Sequence, residues 1–216
     1  MNCLVTAGPT YEPLDAVRRL TNSSTGRLGT QLADYLASHG HNVILLRGSH
    51  STFQIPSKVG RVIEFGTAID LEQQLQSFAH AKIDAIFHAA AVNDFQFGKV
   101  WTRLPGGELA EMKMGKFSTR EGPLLAELIP APKLITKLRG WFPKAWLVGW
   151  KYEVDGDCAA AAQRARIQII ESRTDACVLN GPAYGPGFGL LAKENELLHF
   201  ANSPALFESL ERRLSH

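Results

Sequence analysis

The chain has 216 residues, 45% of them hydrophobic and 20% charged, with 23 Lys and Arg against 21 Asp and Glu for a formal net charge of +2. Such a composition suits a packed globular protein and excludes both a disordered chain and one whose main work is coating nucleic acid. Cys3, Cys158 and Cys177 are too scattered for a disulfide framework or a zinc site. The start MNCLVTAGPT turns polar too early for a signal peptide, and no apolar run nears the roughly 18 residues of a spanning helix. A soluble cytoplasmic protein without a membrane or nucleic-acid partner is expected, with residues 1–216 as one domain.

Cys3 to Ala7 is a short apolar run closed by Gly8 and Pro9, which predicts a buried strand. A loop to about Thr25 precedes Leu28, Leu32 and Leu36, whose spacing predicts an amphipathic helix with Gly40 as its stop. Val43 to Leu46 predicts a second strand, and the alternating run Arg61 to Phe65 a third, nearer an edge. Leu71, Leu75 and Phe78 mark a second helix, and Ile83 to Val92 a fourth strand. This β-α-β-β-α-β order predicts a Rossmann-like, mostly parallel sheet flanked by helices, with right-handed crossovers. Trp146 to Gly149 and Ala176 to Leu179 continue it, with a helix over Gln163 to Ile170 between them. Gly181 to Gly189 reads as a loop. Leu190–Leu191 and Leu197–Phe200 flank the polar run Lys193 to Glu196 as a hairpin. Ser203 and Pro204 read as N-cap and N1 of a last helix. The stretch from about residue 95 to 129 breaks the pattern and reads as an inserted β-hairpin, with a polar turn over Ser118 to Gly122.

The chemistry-bearing residues fall at strand ends, where open parallel sheets bind ligands. Gly8 to Gly29 joins the first strand to the first helix. Ser23, Ser24, Thr25, Gly26 and Gly29 suit a phosphate at a helix N-terminus, or a cap with packing glycines. Neither GxGxxG nor GxxxxGK[ST] occurs here, so a phosphate would be held by a different loop. Asn22 suits a helix cap or a donor to a carboxylate. Arg18 suits a bidentate phosphate contact or a solvated charge. Ala89 to Ala91 allow close ligand approach, and Asp94 can accept protons or help hold Mg²⁺. His88 reads as a core histidine. Lys99, Lys113 and Lys116 on the insert are mobile point charges. Trp150 suits base stacking or the core, and Arg166 with Asn180 a site or a surface pair.

GPTYEPLDAVRRLTNSSTGRLG from Gly8 to Gly29 resembles the opening motif of the phosphopantothenoylcysteine synthetase family. AAAVND at Ala89–Asp94, EMKM at Glu111–Met114, APKLI at Ala131–Ile135, GWKYE at Gly149–Glu153 and DACVLN at Asp175–Asn180 extend the likeness over nearly the whole chain. Some members carry this domain behind a flavin-dependent decarboxylase; the stand-alone form is expected here. It implies a ligase of coenzyme A biosynthesis. The carboxylate of 4′-phosphopantothenate attacks the α-phosphate of CTP or ATP, accompanied by Mg²⁺. Cysteine then displaces the nucleotide from the acyl-nucleotidylate. By motif, Gly8, Ser24, Gly26 and Gly29 would cradle the triphosphate. Asp94, Pro132, Lys133, Leu134, Ile135, Trp150 and Asn180 would contact the nucleotide. Asn22 would hold the carboxylate and the acyl intermediate, with Ala90 and Ala91 beside it. Arg18 would bind the substrate phosphate from a neighbouring subunit of a homodimer. Lys99, on a flap spanning about 95–129, would close over the intermediate and meet the nucleotide. The substrates are anionic, so a locally cationic site is expected inside a near-neutral chain.

The likeness has departures. Fused members carry KxKK in the flap, whereas Lys99-Val-Trp-Thr102 keeps only the first lysine. Their late-helix lysines align with Gln168 and Ser172, while Lys151 and Arg166 resemble stand-alone and eukaryotic-type members. Asn93 stands where a small residue is usual. Two other readings remain at this stage: a diverged relative that binds nucleotide or a pantothenate compound without turnover, and an NAD(P)-dependent Rossmann-like reductase.

Overall fold

A computed structural model of the chain describes residues 1–53, 57–113, 115–118, 120, 122–192 and 197–214. The elements are β1 (Asn2–Pro9), β2 (Tyr11–Pro13), β3 (Arg19–Thr21), α1 (Arg27–Ser38), β4 (Asn42–Gly48), β5 (Arg61–Phe65), α2 (Ala68–Ser77), β6 (Ala85–Ala91), β7 (Phe95–Arg103), β8 (Leu109–Glu111), β9 (Leu124–Pro130), α3 (Ile135–Trp141), β10 (Trp146–Tyr152), α4 (Cys158–Ser172), β11 (Ala176–Asn180), β12 (Phe188–Ala192), β13 (Leu197–Phe200) and α5 (Ser203–Arg212).

The main sheet has eight strands in the order β13-β12-β11-β10-β6-β1-β4-β5. From β5 to β11 every neighbouring pair is parallel, and β12 and β13 add an antiparallel margin. The expected Rossmann-like sheet is therefore present, and β5 is its edge. Chain order runs outward from β1 in both directions. The switch point falls between β1 and β6, where the carboxyl ends diverge and leave a crevice.

Alternation along the strands fills two faces. Cys3, Val5 and Ala7 of β1 pack with Leu32, Ala33 and Leu36 of α1 and Leu206, Phe207 and Leu210 of α5. Leu4 points the other way, into a cluster with Leu71 and Leu75 of α2 and Leu134, Leu138 and Phe142 around α3. Cys177 and Leu179 of β11 meet Ala161, Ala165 and Ile169 of α4. Burial pushes the thiols of Cys3 and Cys177 up to about 12, so both are inert core side chains.

Several elements differ from the sequence expectation. The loop before α1 contains the β2–β3 hairpin. The insert is a three-stranded antiparallel sheet, order β8-β7-β9, rather than a simple hairpin; we call it the arm. Met114 and part of the turn over 118–122 lie outside the described residues, as does the polar run 193–196 between β12 and β13. The short helix α3 has no periodicity to announce it and no side-chain cap. The cap of α5 is Asn202, whose side chain accepts from the Ala205 amide at 3.0 Å; Ser203 is the first helical residue. Asn is at least as good an acceptor as Ser at this position and stands one residue earlier.

Candidate active site

The crevice at the switch point opens into a cleft of about 690 Å³. Its walls are the Asn22–Gly29 turn into α1, the end of β6 from His88 to Asp94, Ala131–Ile135 leading into α3, Trp150–Tyr152 of β10, Gln168 of α4 and Asn180 of β11.

The first wall is built by close approach. Gly26, not Asn22, is the N-cap of α1, with φ 76°. A Cβ there would stand 2.7 Å from Ser51 Oγ and 3.2 Å from the Gly8 Cα. One on Gly29 would stand 2.7 Å from the Ala7 Cβ, so Gly29 lets α1 settle on β1. No side chain caps the helix and no acid stands in its first turn. The hydroxyls of Ser24 and Thr25 meet the amides of Gly26 and Arg27 at a long 3.4 and 3.3 Å. A helix start dressed this way can take an anion at little cost, since weak local bonds are exchanged for charged ones. Arg27 adds a cation, its guanidinium stacked over Phe53 at 5.1 Å.

Asn22 leaves capping aside and faces the second wall. Its Nδ2 donates to the Ala91 carbonyl at 3.2 Å. The turn is lashed to β6 by further bonds. The Thr10 amide donates to the Ala91 carbonyl at 3.1 Å, the Asn93 amide to Thr10 Oγ1 at 2.9 Å, and Asn93 Nδ2 to the Leu20 carbonyl at 3.2 Å. Asn93, the unusual residue in its motif, is thus a buried tie between the β2–β3 hairpin and the end of β6. His88 is buried, as expected of a core histidine. Its Nδ1 lies 2.9 Å from Thr6 Oγ1, which also accepts from the Ala90 amide at 3.1 Å. Burial drops its imidazole to about 4, so it is neutral near pH 7.

The far wall carries polar atoms without partners. Trp150 Nε1 and Asn180 Oδ1 are both buried and unbonded. A buried polar group without a partner is costly to the fold. Gly149 makes room beneath them: a Cβ there would stand 2.4 Å from Gln168 Nε2 and 2.9 Å from Ile135 Cδ1. Gln168 Nε2 donates to Cys177 Sγ at 3.4 Å. Lys151 is paired with Glu153 at 3.4 Å, and Glu153 also with Arg164 at 2.6 Å.

The lining holds Arg27, Lys133 and Lys151 as cations against Asp94 as its one carboxylate among the described residues, so the chain's near-neutral balance does conceal a cationic cleft. Among the described residues no three His, Cys, Asp or Glu side chains converge on a metal position. Asp94 is the one carboxylate of the described lining that a cation in the cleft could meet.

Of the residues singled out in the sequence, Asn22, Ser24, Gly26, Gly29, Ala90, Ala91, Asp94, Pro132, Lys133, Leu134, Ile135, Trp150 and Asn180 line this cleft. Three do not. Gly8 lies behind it with φ 83°, where a Cβ would collide with Ser51. Arg18 donates through Nη2 to the Phe117 carbonyl at 2.8 Å. Lys99 sits on β7 of the arm, 62% exposed, with Nζ 3.0 Å from Glu111. Arg166 also stays outside the lining. Arg27 is a cleft residue that motif reasoning passed over, and Gln168, aligned with a family lysine, lines the cleft as well; the first helical position after a glycine cap was the available signal for Arg27.

Comparison with known proteins gives a consistent result. The model of the family described as the DNA/pantothenate metabolism flavoprotein C-terminal domain matches residues 1–209. The Thermococcus kodakarensis protein named coenzyme A biosynthesis bifunctional protein CoaBC is 32% identical over 197 residues, which is 90% of this chain and 43% of the relative. The chain thus spans less than half the length of that relative. The crystal structure of a DNA/pantothenate metabolism flavoprotein from Streptococcus pneumoniae superposes with a TM-score of 0.85 at 24% identity, covering 100% of this chain and 98% of that one. A Cab2 variant in complex with phosphopantothenate-cysteine superposes with a TM-score of 0.72 at 18% identity, covering 99% and 87%. The two structural likenesses bear on the fold.

Proposed function

The chain belongs to the family of the DNA/pantothenate metabolism flavoprotein C-terminal domain, the phosphopantothenoylcysteine synthetase family, and from that premise we propose that it joins 4′-phosphopantothenate to cysteine at the expense of a nucleoside triphosphate, CTP or ATP. The observation that carries this reading is the cleft itself. An open helix N-terminus, the Asn22 amide, the alanine-lined end of β6 and the side chains of Trp150 and Asn180 on the far wall line one space.

In this reading the triphosphate lies against the start of α1 under Ser24, Gly26, Arg27 and Gly29. The base lies toward Trp150 and Asn180. Asp94 and the turn from Pro132 to Ile135 border the nucleotide between them. Mg²⁺, when carried by the triphosphate, neutralises phosphate charge. The pantothenate carboxylate comes to Asn22, with Ala90 and Ala91 permitting a backbone-close approach. The carboxylate oxygen attacks the α-phosphorus and pyrophosphate leaves. The cysteine amine then attacks the acyl carbon, the nucleoside monophosphate departs, and the amine loses its proton. No side chain need form a covalent bond; the protein orients the reactants and offsets charge. Asn22 Nδ2 would exchange its bond to Ala91 for one to the acyl oxygen.

Lys99 and Arg18 lie outside the cleft of their own chain, which fits a homodimer in which the arm approaches a site from its own or a second subunit. Phe95, Leu109, Leu128 and Ile129 are exposed apolar side chains of the arm that such a contact would cover. Among the described residues no helix is long and apolar enough to cross a membrane.

The test is pyrophosphate release with 4′-phosphopantothenate, cysteine and Mg²⁺, with CTP and ATP in parallel. Release that depends on phosphopantothenate supports the ligase, and the ratio of rates identifies the base. Folded protein that releases none with either nucleotide overturns the reading.

A further inference from the structure

The turn Asp15–Arg18 closes the β2–β3 hairpin, and it is also where the arm meets the rest of the molecule. Asp15 Oδ1 accepts from the amides of Val17 and Arg18 at 2.9 and 2.7 Å, which shapes the turn. Its Oδ2 accepts from the Phe117 amide at 3.2 Å and lies 3.4 Å from Arg18 Nη1. Arg18 Nη2 donates to the carbonyl of that same Phe117, and the Ala16 amide donates to the Gly115 carbonyl at 2.9 Å. The Asp15 side chain has no exposed surface, and Phe117 is buried. Both oxygens of one carboxylate are therefore spent on joining two segments about a hundred residues apart. Nothing is left on it for a proton transfer or a metal.

We propose that Asp15 is a positioning residue: by holding Phe117 and Arg18 together it makes the arm and the hairpin that runs on into Asn22 move as one unit. An anion taken up by Arg18 then also fixes where the arm stands. This second step rests on the ligase reading, in which Arg18 meets the substrate phosphate; the mechanical step does not.

Asp15→Asn separates the two. Asn keeps an oxygen for the turn amides but presents an NH₂ to the Phe117 amide and removes the charge facing Arg18. Amide hydrogen exchange of the free protein should speed about tenfold at 115–118 and along β7, the scale expected for one lost charged hydrogen bond, while β1 and β6 keep their protection. In turnover, the KM for 4′-phosphopantothenate should rise about tenfold while nucleotide affinity stays within about twofold, a split that general loosening would not give. Asp15→Glu, which keeps the charge but displaces it by a methylene, is the second variant and should loosen the same segments. Unchanged exchange at 115–118 in either folded variant overturns the joint, whether or not the chain is a ligase. Faster exchange with both substrates equally affected overturns the link to Arg18.

Discussion

At the cleft, a Cβ on Gly26 or Gly29 would lie 2.7 Å from a neighbouring atom; in the turns of the arm, Gly106, Gly107 and Gly115 have nothing within 4 Å, and only Gly98, inside β7, is packed against Glu127 and Ile129. The charges divide in the same way. Lys151 and its partner Glu153 are half-buried, whereas Lys99 and Lys113 are 62% and 87% exposed and share Glu111. The cleft is formed before any ligand arrives, since sheet, helix start and interlocking ties over-determine it. The arm holds its cations in water, where they can change partners. A reaction that must bind anions firmly, then shield and release an activated intermediate, has use for both.

The largest expected effects test that division at the site. Asn22→Asp places a carboxylate where the reading puts the substrate carboxylate and acyl oxygen. Turnover should fall by about 100-fold or more, the scale of losing one oriented donor to a developing charge, and acyl-nucleotidylate should accumulate. Lys99→Ala should also lower turnover strongly while leaving nucleotide affinity nearly unchanged, because the free protein keeps Lys99 away from the cleft. Single-turnover assays with labelled nucleotide read both. An Asn22→Asp enzyme with normal kcat would remove Asn22 from the chemistry. Lost nucleotide binding in Lys99→Ala would show that the arm is part of the preformed cleft.

Acid should act on the cleft through His88. Its folded-state value of about 4, set by burial, lies below the ordinary histidine value near 6.5. Between those limits the unfolded chain takes a proton that the folded chain refuses. Stability is therefore fully present above about pH 6.5 and falls as pH drops toward 4, by up to roughly 3 kcal/mol. Urea midpoints at pH 7 and pH 5 should differ accordingly, and the slope should weaken in His88→Gln. Asp15 governs the joint in the same direction at lower pH. Burial alone would raise its carboxyl, but the amides of Val17, Phe117 and Arg18 and the Arg18 guanidinium outweigh it and hold it below the usual carboxylate range.

Packing gives a smaller contrast. Gly29→Ala presses a methyl onto Ala7 and the Thr6 carbonyl and should cost roughly 1–3 kcal/mol, as overpacking does. Gly106→Ala meets open space and should stay within about 0.5 kcal/mol. Equal denaturation midpoints for the two variants would mean that the α1–β1 contact relaxes freely.

The same contrast explains what was legible in the sequence. The sheet was, because short apolar runs between helical spacings have few other ways to bury themselves. The walls of the cleft were, because strand ends and a helix start come together wherever the strands lie side by side. Three features were not. Leu138 of α3 and Leu134 at its cap occupy too short a stretch to show a period. The β2–β3 hairpin is held by side-chain bonds from Asp15 and Thr21 rather than by an apolar pattern. The positions of Arg18 and Lys99 depend on Phe117 and Glu111, contacts across the insert that no local spacing encodes.

The smallest expected effect is the most specific to the arm. Glu111 holds Lys99 at 3.0 Å and Lys113 at 3.9 Å, and an exposed pair of this kind contributes only about 0–1 kcal/mol. Glu111→Gln should therefore leave the denaturation midpoint almost unmoved. If Lys99 must leave Glu111 to reach the activated intermediate, the same change removes a competitor for its charge. Turnover at saturating substrate should rise a few-fold or hold, and the salt dependence of kcat should flatten, because added salt would have less ion pair left to screen. A fall in kcat to the level of Lys99→Ala would mean instead that Glu111 orients Lys99 for the reaction, making the pair part of the working site.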